Sequence, residues 1–168
     1  MNIDPFLIWV ESTAVSQWVV GSPSIAFGFP GILTVHAIGM GFAAGLGAVL
    51  DLRILGVARG IPLNELRRFL PILWAGFWIN ALSGVLLLIG YPTKALTNPV
   101  FFLKLALVAT AMAIVTRINR RLVAGVVEEP SYQRTLRRMA AVSLACWIGA
   151  IFAGRFLAYT YSRLTALG

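Results

Sequence analysis

A single histidine, His36, lies inside the longest apolar stretch of the chain, which runs from Phe29 to Gly56. A histidine in apolar surroundings can ligate haem iron, relay a proton or hydrogen-bond the carbonyl of a quinone. Further polar side chains interrupt the later apolar stretches: Asn80 and Ser83 in the second, and Lys104 in the third. Polar groups placed in this way indicate a buried polar site, and they are the first candidates for function.

Haem b is one cofactor that such a histidine could hold, with His36 as the ligand to the metal. Lys104 or Arg155 would then neutralise its propionates, or the carboxylate of a small anion. Because the sequence contains one histidine, two histidines of one subunit cannot bind the same iron. Met40 lies one helical turn from His36 on the same face, so it cannot be the opposite axial ligand. A haem shared across a homodimer, a five-coordinate haem or a methionine from another helix remain possible arrangements.

The composition is that of a membrane protein. Hydrophobic residues make up 59% of the 168 residues and charged residues 12%, whereas soluble domains carry about a quarter charged residues. The net charge of +8 does not indicate nucleic-acid binding, because most basic residues lie between apolar stretches, where they set membrane orientation. The only cysteine, Cys146, lies in an apolar stretch, which excludes a disulfide framework. No hydrolase, nucleotide-binding or zinc motif is present, so we expect no enzymatic activity from the chain alone.

Four apolar stretches are long enough to cross a hydrocarbon core of roughly 30 Å as α-helices. We predict membrane spans at about residues 30–52, 69–90, 99–121 and 137–160, which form an all-α, integral membrane four-helix bundle in residues 25–168.

Residues 1–24 are predicted to form a separate N-terminal helix and linker. Asp4 and Pro5 are typical of a helix start. The helix that follows, Phe6 to Val20, is too polar to span a membrane alone. We therefore predict that it lies in the membrane interface.

The arginines predict the orientation of the bundle. Four of them lie between the first and second spans, and six lie between the third and fourth. Because cytoplasmic loops are enriched in arginine and lysine, both termini should lie outside. His36, Lys104 and Arg155 then lie roughly 7–8 Å into the outer leaflet, with Tyr159 at the outer interface.

Helical wheels predict which face of each span is packed against protein. His36 shares a face with small residues such as Gly39, and small residues let membrane helices approach closely. Asn80 also lies among small residues, and a buried amide needs a partner on a neighbouring helix. Lys104 lies opposite the small residues of its span, which favours snorkelling of its ammonium group to the headgroups. For Arg155 the wheel leaves snorkelling and an inward site equally open.

A structural corner is predicted at the cytoplasmic end of the first span. There Asp51 and Arg53 could pair with Arg67, Arg68 or Glu65 and stabilise the turn to the second span. The arginine-rich loops also suit the headgroups of anionic lipids.

The chain resembles an uncharacterised family of bacterial four-helix inner-membrane proteins in four segments: HAIGMGFAAGLGAVLDLRILG, LPILWAGFWINALSGVLLLIG, NPVFFLKLALVATAMA and WIGAIFAGRFLAY. A more distant similarity is to the copper-resistance D-type membrane proteins, which have histidines in such helices. The residues that carry the resemblance are His36, Gly39, Asp51, Arg53, Pro71, Trp74, Gly84, Asn98, Lys104, Gly154, Arg155 and Tyr159. The resemblance implies the fold and a multi-pass location in the bacterial cytoplasmic (inner) membrane, but no established reaction.

We predict a polar pocket in the outer leaflet, formed by His36, Met40, Asn80, Ser83, Lys104, Arg155 and Tyr159. The leading interpretation is a haem- or quinone-binding subunit of an electron-transfer assembly, surrounded by lipid and present as a homo-oligomer or within a larger membrane complex. One alternative is an oligomeric channel or carrier for a small solute or anion, attracted by Arg155 and Lys104. Another is a purely structural subunit whose glycine-rich faces dock onto a larger complex.

Overall fold

The computed structural model describes residues 4–57, 59–123 and 130–164. This part of the chain is entirely helical, and its helices are α1 (Asp4–Glu11), α2 (Ala14–Gly21), α3 (Phe29–Leu55), α4 (Leu63–Arg67), α5 (Leu70–Gly90), α6 (Pro92–Leu96), α7 (Pro99–Val123) and α8 (Pro130–Leu164). Residues 1–3 of the predicted N-terminal segment lie outside the described residues, as do residues 165–168 of the predicted bundle domain.

Four of these helices carry stretches long and apolar enough to cross a membrane: α3, α5 with the preceding α4, α7 and α8. They lie side by side as a helical bundle. The prediction of a multi-pass membrane protein with four spanning helices is therefore confirmed. The side that each terminus occupies stays a prediction from the arginine distribution.

The N-terminal segment does not form the single helix predicted from Phe6 to Val20. It breaks at Ser12 and Thr13 into α1 and α2. Both hydroxyls donate hydrogen bonds of 2.7 Å to backbone carbonyls of the preceding turn, and the Thr13 hydroxyl then accepts from the Ser16 amide. Serine and threonine compete in this way with the helical ladder and favour a new N-cap, which the hydrophobic pattern alone could not show.

The two short N-terminal helices pack against one end of the bundle, where α3 begins and α5 ends; we call this the α6 end. Val19 of α2 is completely buried, and its side chain lies where a Cβ on Gly90 would stand. The Thr93 hydroxyl of α6 donates a 2.7 Å hydrogen bond to Glu11 of α1. The opposite end, where α3 ends at Gly56 and α4 lies, is called the α4 end.

Within the bundle, α3 packs against both α5 and α8, and α7 packs against α8. Direct contact between α5 and α7 is slight, so the bundle has a seam between these two helices. The α3–α5 contact is closest at Gly39 and Gly76, because a Cβ on Gly39 would lie only 2.8 Å from the Gly76 carbonyl oxygen. The close approach of these two backbones matches the small residues predicted on the packed face of α3.

The start of α7 is tied to the end of α8. Asn98 precedes α7, and its side-chain oxygen accepts from the Val100 amide, as an N-cap does. Its amide group also donates a 2.8 Å hydrogen bond to the Thr160 hydroxyl. Asn98 is buried, so these two bonds fix the height of α7 and of Lys104, which follows less than two turns later.

Candidate functional site

His36 and Asn80 join α3 to α5 through two reciprocal hydrogen bonds. The Asn80 side-chain amide donates to the His36 carbonyl oxygen at 2.8 Å. In return, the Nδ1 atom of His36 lies 2.9 Å from the Asn80 carbonyl oxygen. Asn80 is buried and His36 is half-buried. The buried Asn80 amide was predicted to need a partner on a neighbouring helix, and that partner is the backbone carbonyl of His36.

The surroundings of the His36 ring determine which nitrogen carries the proton. Nδ1 faces the carbonyl of Asn80 at 2.9 Å and the Ser83 hydroxyl at 3.2 Å. That hydroxyl already donates to the Ile79 carbonyl at 2.6 Å. Since both oxygens act as acceptors toward the ring, we assign the proton to Nδ1. The Nε2 atom of the neutral ring is then left as an acceptor.

Lys104 of α7 supplies the donor for that acceptor. Its Nζ atom lies 3.0 Å from Nε2 of His36. A lysine ammonium group has three N–H donors and no acceptor, so one donor meets the imidazole and two are left. The prediction that Lys104 snorkels to the headgroups is wrong for this structure. The wheel took the small residues of α7 for its packed face, but these are exposed: Ala106, Ala109 and Ala113. The side of the helix that carries Lys104 is the packed one, because Val115 on that side is completely buried.

Two glycines leave room for this pair. A Cβ on Gly84 of α5 would lie 3.1 Å from Cε1 of His36, so the ring occupies the space that a side chain would need. On the other side, a Cβ on Gly154 of α8 would lie 3.6 Å from Cε of Lys104. The pair therefore lies at the meeting point of α3, α5, α7 and α8, near the α6 end.

Lys104 has no acidic partner in the part of the chain that the structure describes. The Glu65 carboxylate pairs with Arg68 at 3.3 Å, and the Glu11 carboxylate accepts from Thr93. Asp51 lies about 22 Å along α3 from His36, at the opposite end of the bundle. The Lys104 amine is therefore held by a neutral hydrogen-bonding partner, the His36 ring, and by no carboxylate among the described residues.

Arg155 and Tyr159 are not part of this arrangement. The Arg155 guanidinium lies over the Tyr159 ring at 5.1 Å from its centroid, and both side chains are exposed on the outside of the bundle. The inward position that the wheel left open for Arg155 is therefore wrong, because its side chain lies on the outer surface of the bundle. The neighbouring Gly154 of α8 lies against Lys104 instead. It was not among the predicted site residues.

Met40 also contributes no group to the polar site. It is half-buried and packs against the apolar core of the bundle. The structure thus brings four of the seven predicted site residues together: His36, Asn80, Ser83 and Lys104.

Haem ligation does not fit the arrangement of these side chains. Both ring nitrogens of His36 have hydrogen-bonding partners, and an iron atom at Nε2 would have to displace the Lys104 ammonium group. Among the described residues, no three histidine, cysteine, aspartate or glutamate side chains gather as ligands for a metal ion.

The predicted pairing of Asp51 and Arg53 with charged residues of the following turn is wrong. The Arg53 guanidinium donates to the backbone carbonyls of Arg59 and Ile61, at 2.8 Å for Arg59. It therefore stabilises the turn after α3 without a carboxylate. Asp51 points instead into the bundle, where it is completely buried.

Comparisons with protein-family models, curated proteins and solved structures find no match to this chain. The resemblance to four-helix inner-membrane proteins and to copper-resistance D-type proteins therefore stays a prediction. Any functional conclusion has to come from the geometry of the site.

Because His36 is the only histidine, its protonation can be measured without assignment. In protein labelled with ¹⁵N-histidine at neutral pH, we expect a neutral ring with the proton on Nδ1. The variant Lys104→Met should shift the Nε2 resonance, because that nitrogen loses its donor, and should leave Nδ1 protonated.

Solid-state ¹⁵N NMR measures both resonances in lipid bilayers. Gly154→Ala is the matched control, because its new Cβ makes only ordinary contacts of 3.6–3.8 Å with Lys104. A proton on Nε2, or no response to Lys104→Met, would contradict the arrangement described here.

Proposed function

We propose that this protein is a quinone-binding subunit of a membrane electron-transfer assembly. The quinone headgroup binds beside Lys104 and His36, in the outer leaflet of a bacterial inner membrane. The observation that carries the proposal is the 3.0 Å contact between the Lys104 ammonium group and Nε2 of His36, with no acidic partner in the described part of the chain.

Hydrogen-bond chemistry supports a carbonyl ligand. Lys104 retains two N–H donors after it meets His36, and a quinone carbonyl oxygen accepts such donors. When a quinone is reduced, negative charge develops on its oxygens. A fixed ammonium group stabilises that charge strongly in surroundings of low dielectric constant. His36 positions this ammonium group, because its own ring is oriented by the carbonyl of Asn80.

The route into the site also suits a ligand that is dissolved in the membrane. The slight contact between α5 and α7 leaves a seam between them, and the polar site joins groups from both helices. A quinone can reach the ammonium group through this seam from the lipid, without crossing the polar surface of the protein.

The geometry favours a quinone over haem and over the anion carrier. Haem would require His36 to lose the lysine that occupies its free nitrogen. The anion carrier was predicted to use Arg155 together with Lys104, but Arg155 lies on the outer surface against Tyr159. A single cation beside a neutral imidazole suits a carbonyl group that becomes negative only on reduction.

The test is equilibrium binding of a short-chain quinone analogue to the purified protein, followed by quenching of tryptophan fluorescence. We expect saturable binding to the wild-type protein. Lys104→Met should weaken it at least tenfold, which corresponds to about 1.4 kcal/mol and is typical of a lost hydrogen bond to a charged group.

Arg155→Gln is the matched control, since it removes a cation that is exposed and lies outside the site. Its affinity should equal that of the wild type. If the wild type does not bind the quinone, or if Lys104→Met binds it equally well, the proposed function is wrong.

A further inference from the structure

A second buried polar cluster lies near the α4 end, between α3 and α8. Asp51, Ser143 and Trp147 are each at most 1% exposed. Both carboxylate oxygens of Asp51, the Ser143 hydroxyl and the Trp147 indole nitrogen lack a hydrogen-bonding partner among the described residues. Nearly all buried polar groups in proteins are hydrogen-bonded, so three adjacent exceptions need an explanation.

Asp51 lies on α3, and Ser143 and Trp147 lie on α8, where these two helices pack together. The Ser143 hydroxyl lies beside the Asp51 carboxylate. Trp147 lies one turn further along α8, and its indole fills the space beside Gly47, where a Cβ would lie 2.7 Å from Cε2. Gly47 precedes Asp51 by one turn on the same face of α3. The carboxyl group therefore has two potential donors next to it, a hydroxyl and an indole N–H.

The nearest charged groups on α3 and α8 do not neutralise Asp51. Arg53 of α3 binds backbone carbonyls of the following turn, including that of Ile61. On α8, Arg137 and Arg138, the arginines nearest to Ser143 in sequence, are exposed. Cys146 lies within electrostatic reach of Asp51, but it is a thiol and supplies no positive charge.

The other helices packed against α3 do not provide a counter-ion either. The sequence of α5 contains no titratable side chain. In α4, Glu65 pairs with Arg68, and Arg67 donates to Asn119 of α7. An ionised carboxylate in this position would therefore be buried without a cation, which is strongly unfavourable.

A bound metal cation is not the best explanation, because too few oxygens are present. Hard cations such as Ca²⁺ and Mg²⁺ take about six or more oxygen ligands. Asp51 and Ser143 supply three, and α3 and α8 continue as helices past the cluster, so their carbonyls serve the helical ladder. A proton needs one oxygen only.

We propose that Asp51 is a proton-binding site, which takes up a proton from water at the α4 end and releases it there. In the protonated form the carboxyl group is neutral, and its carbonyl oxygen accepts hydrogen bonds only weakly compared with a carboxylate. In the ionised form the Ser143 hydroxyl and the Trp147 indole turn to the carboxylate and stabilise its charge. Asp51 lies one turn before the end of α3 at Leu55, which places it about 6 Å from the helix end.

The proton site does not depend on the proposed binding of a quinone at the other end of the bundle. It is tested by infrared spectroscopy of the protein in lipid bilayers, between acidic and alkaline pH. We expect the carbonyl band of a buried protonated acid that is lost at high pH, with the gain of a carboxylate band. Asp51→Asn should remove both signals, whereas Glu65→Gln, which alters an exposed carboxylate, should retain them.

Ser143→Ala gives a second readout that a merely structural acid would not produce. It removes a donor that stabilises the ionised form more than the neutral form, so the loss of the carbonyl band should move to higher pH. The proposal is overturned if no protonated band depends on Asp51. It is equally overturned if that band persists unchanged from acidic to alkaline pH, or if Ser143→Ala leaves its pH dependence unaltered.

Discussion

Replacing Trp147 with alanine is expected to destabilise the bundle by about 2–3 kcal/mol. Trp147 is the largest of the fully buried side chains, at 1% exposure, and it belongs to the core cluster that joins α3, α7 and α8. In soluble proteins the loss of a buried aromatic ring costs about 3–5 kcal/mol. Part of that cost is transfer out of water, which is much smaller when the unfolded helices remain in lipid. The cost of the lost packing applies in lipid as it does in water.

Two matched variants separate packing from other effects of this substitution. Trp78→Ala removes a ring that is 56% exposed, so the free energy of unfolding should change by less than about 0.5 kcal/mol. Trp147→Phe keeps most of the buried volume and removes an N–H group that has no partner in the described structure. Trp147→Phe should lower the free energy of unfolding by less than half as much as Trp147→Ala.

Reversible unfolding in mixed micelles of mild detergent and dodecyl sulfate measures these differences. If Trp147→Ala and Trp78→Ala are equally stable, Trp147 is not at the centre of the helix contacts. If Trp147→Phe is as damaging as Trp147→Ala, the indole N–H has a partner that matters more than ring volume.

The membrane fold could be predicted from the sequence because its signal is additive over many residues. Each span needs about twenty apolar positions, and one polar residue within them does not change the outcome. A local break in a helix depends on a few residues instead. The interruption of the N-terminal helix depends on two hydroxyls, those of Ser12 and Thr13, which bind backbone carbonyls. Such competition is a matter of individual rotamers, so a hydrophobic pattern does not report it.

The polar site could be predicted only in part, for a related reason. His36 and Asn80 are short side chains, so the helix face that carries the Cα also decides where the polar group lies. Lys104 was assigned to the lipid because small residues were taken to mark the packed face of α7, whereas branched side chains such as Val115 and Ile118 form that face. The partners predicted for Asp51 were wrong, because Arg53 and Arg67 are bound to other groups.

Replacing Gly39 with alanine is expected to disrupt both the α3–α5 contact and the polar site. The new Cβ would lie 2.6 Å from the Asn80 backbone nitrogen and 2.8 Å from the Gly76 carbonyl oxygen. Both are backbone atoms and cannot rotate away, so the helices must separate. Overpacking of this kind typically costs about 1–3 kcal/mol, and we expect the upper half of that range.

Gly41→Ala is the control, because a Cβ there meets no atom within 4 Å and alanine favours a helix by up to about 1 kcal/mol over glycine. Gly41→Ala should therefore be as stable as the wild type or slightly more stable. The His36–Asn80 hydrogen bonds span the same helix pair one turn away, so Gly39→Ala should also weaken quinone binding and shift the His36 ¹⁵N resonances. Equal stability and equal binding of the two alanine variants would show that α3 and α5 do not meet at Gly39. The His36 ring would then lack the fixed partner on which the orientation of Lys104 depends.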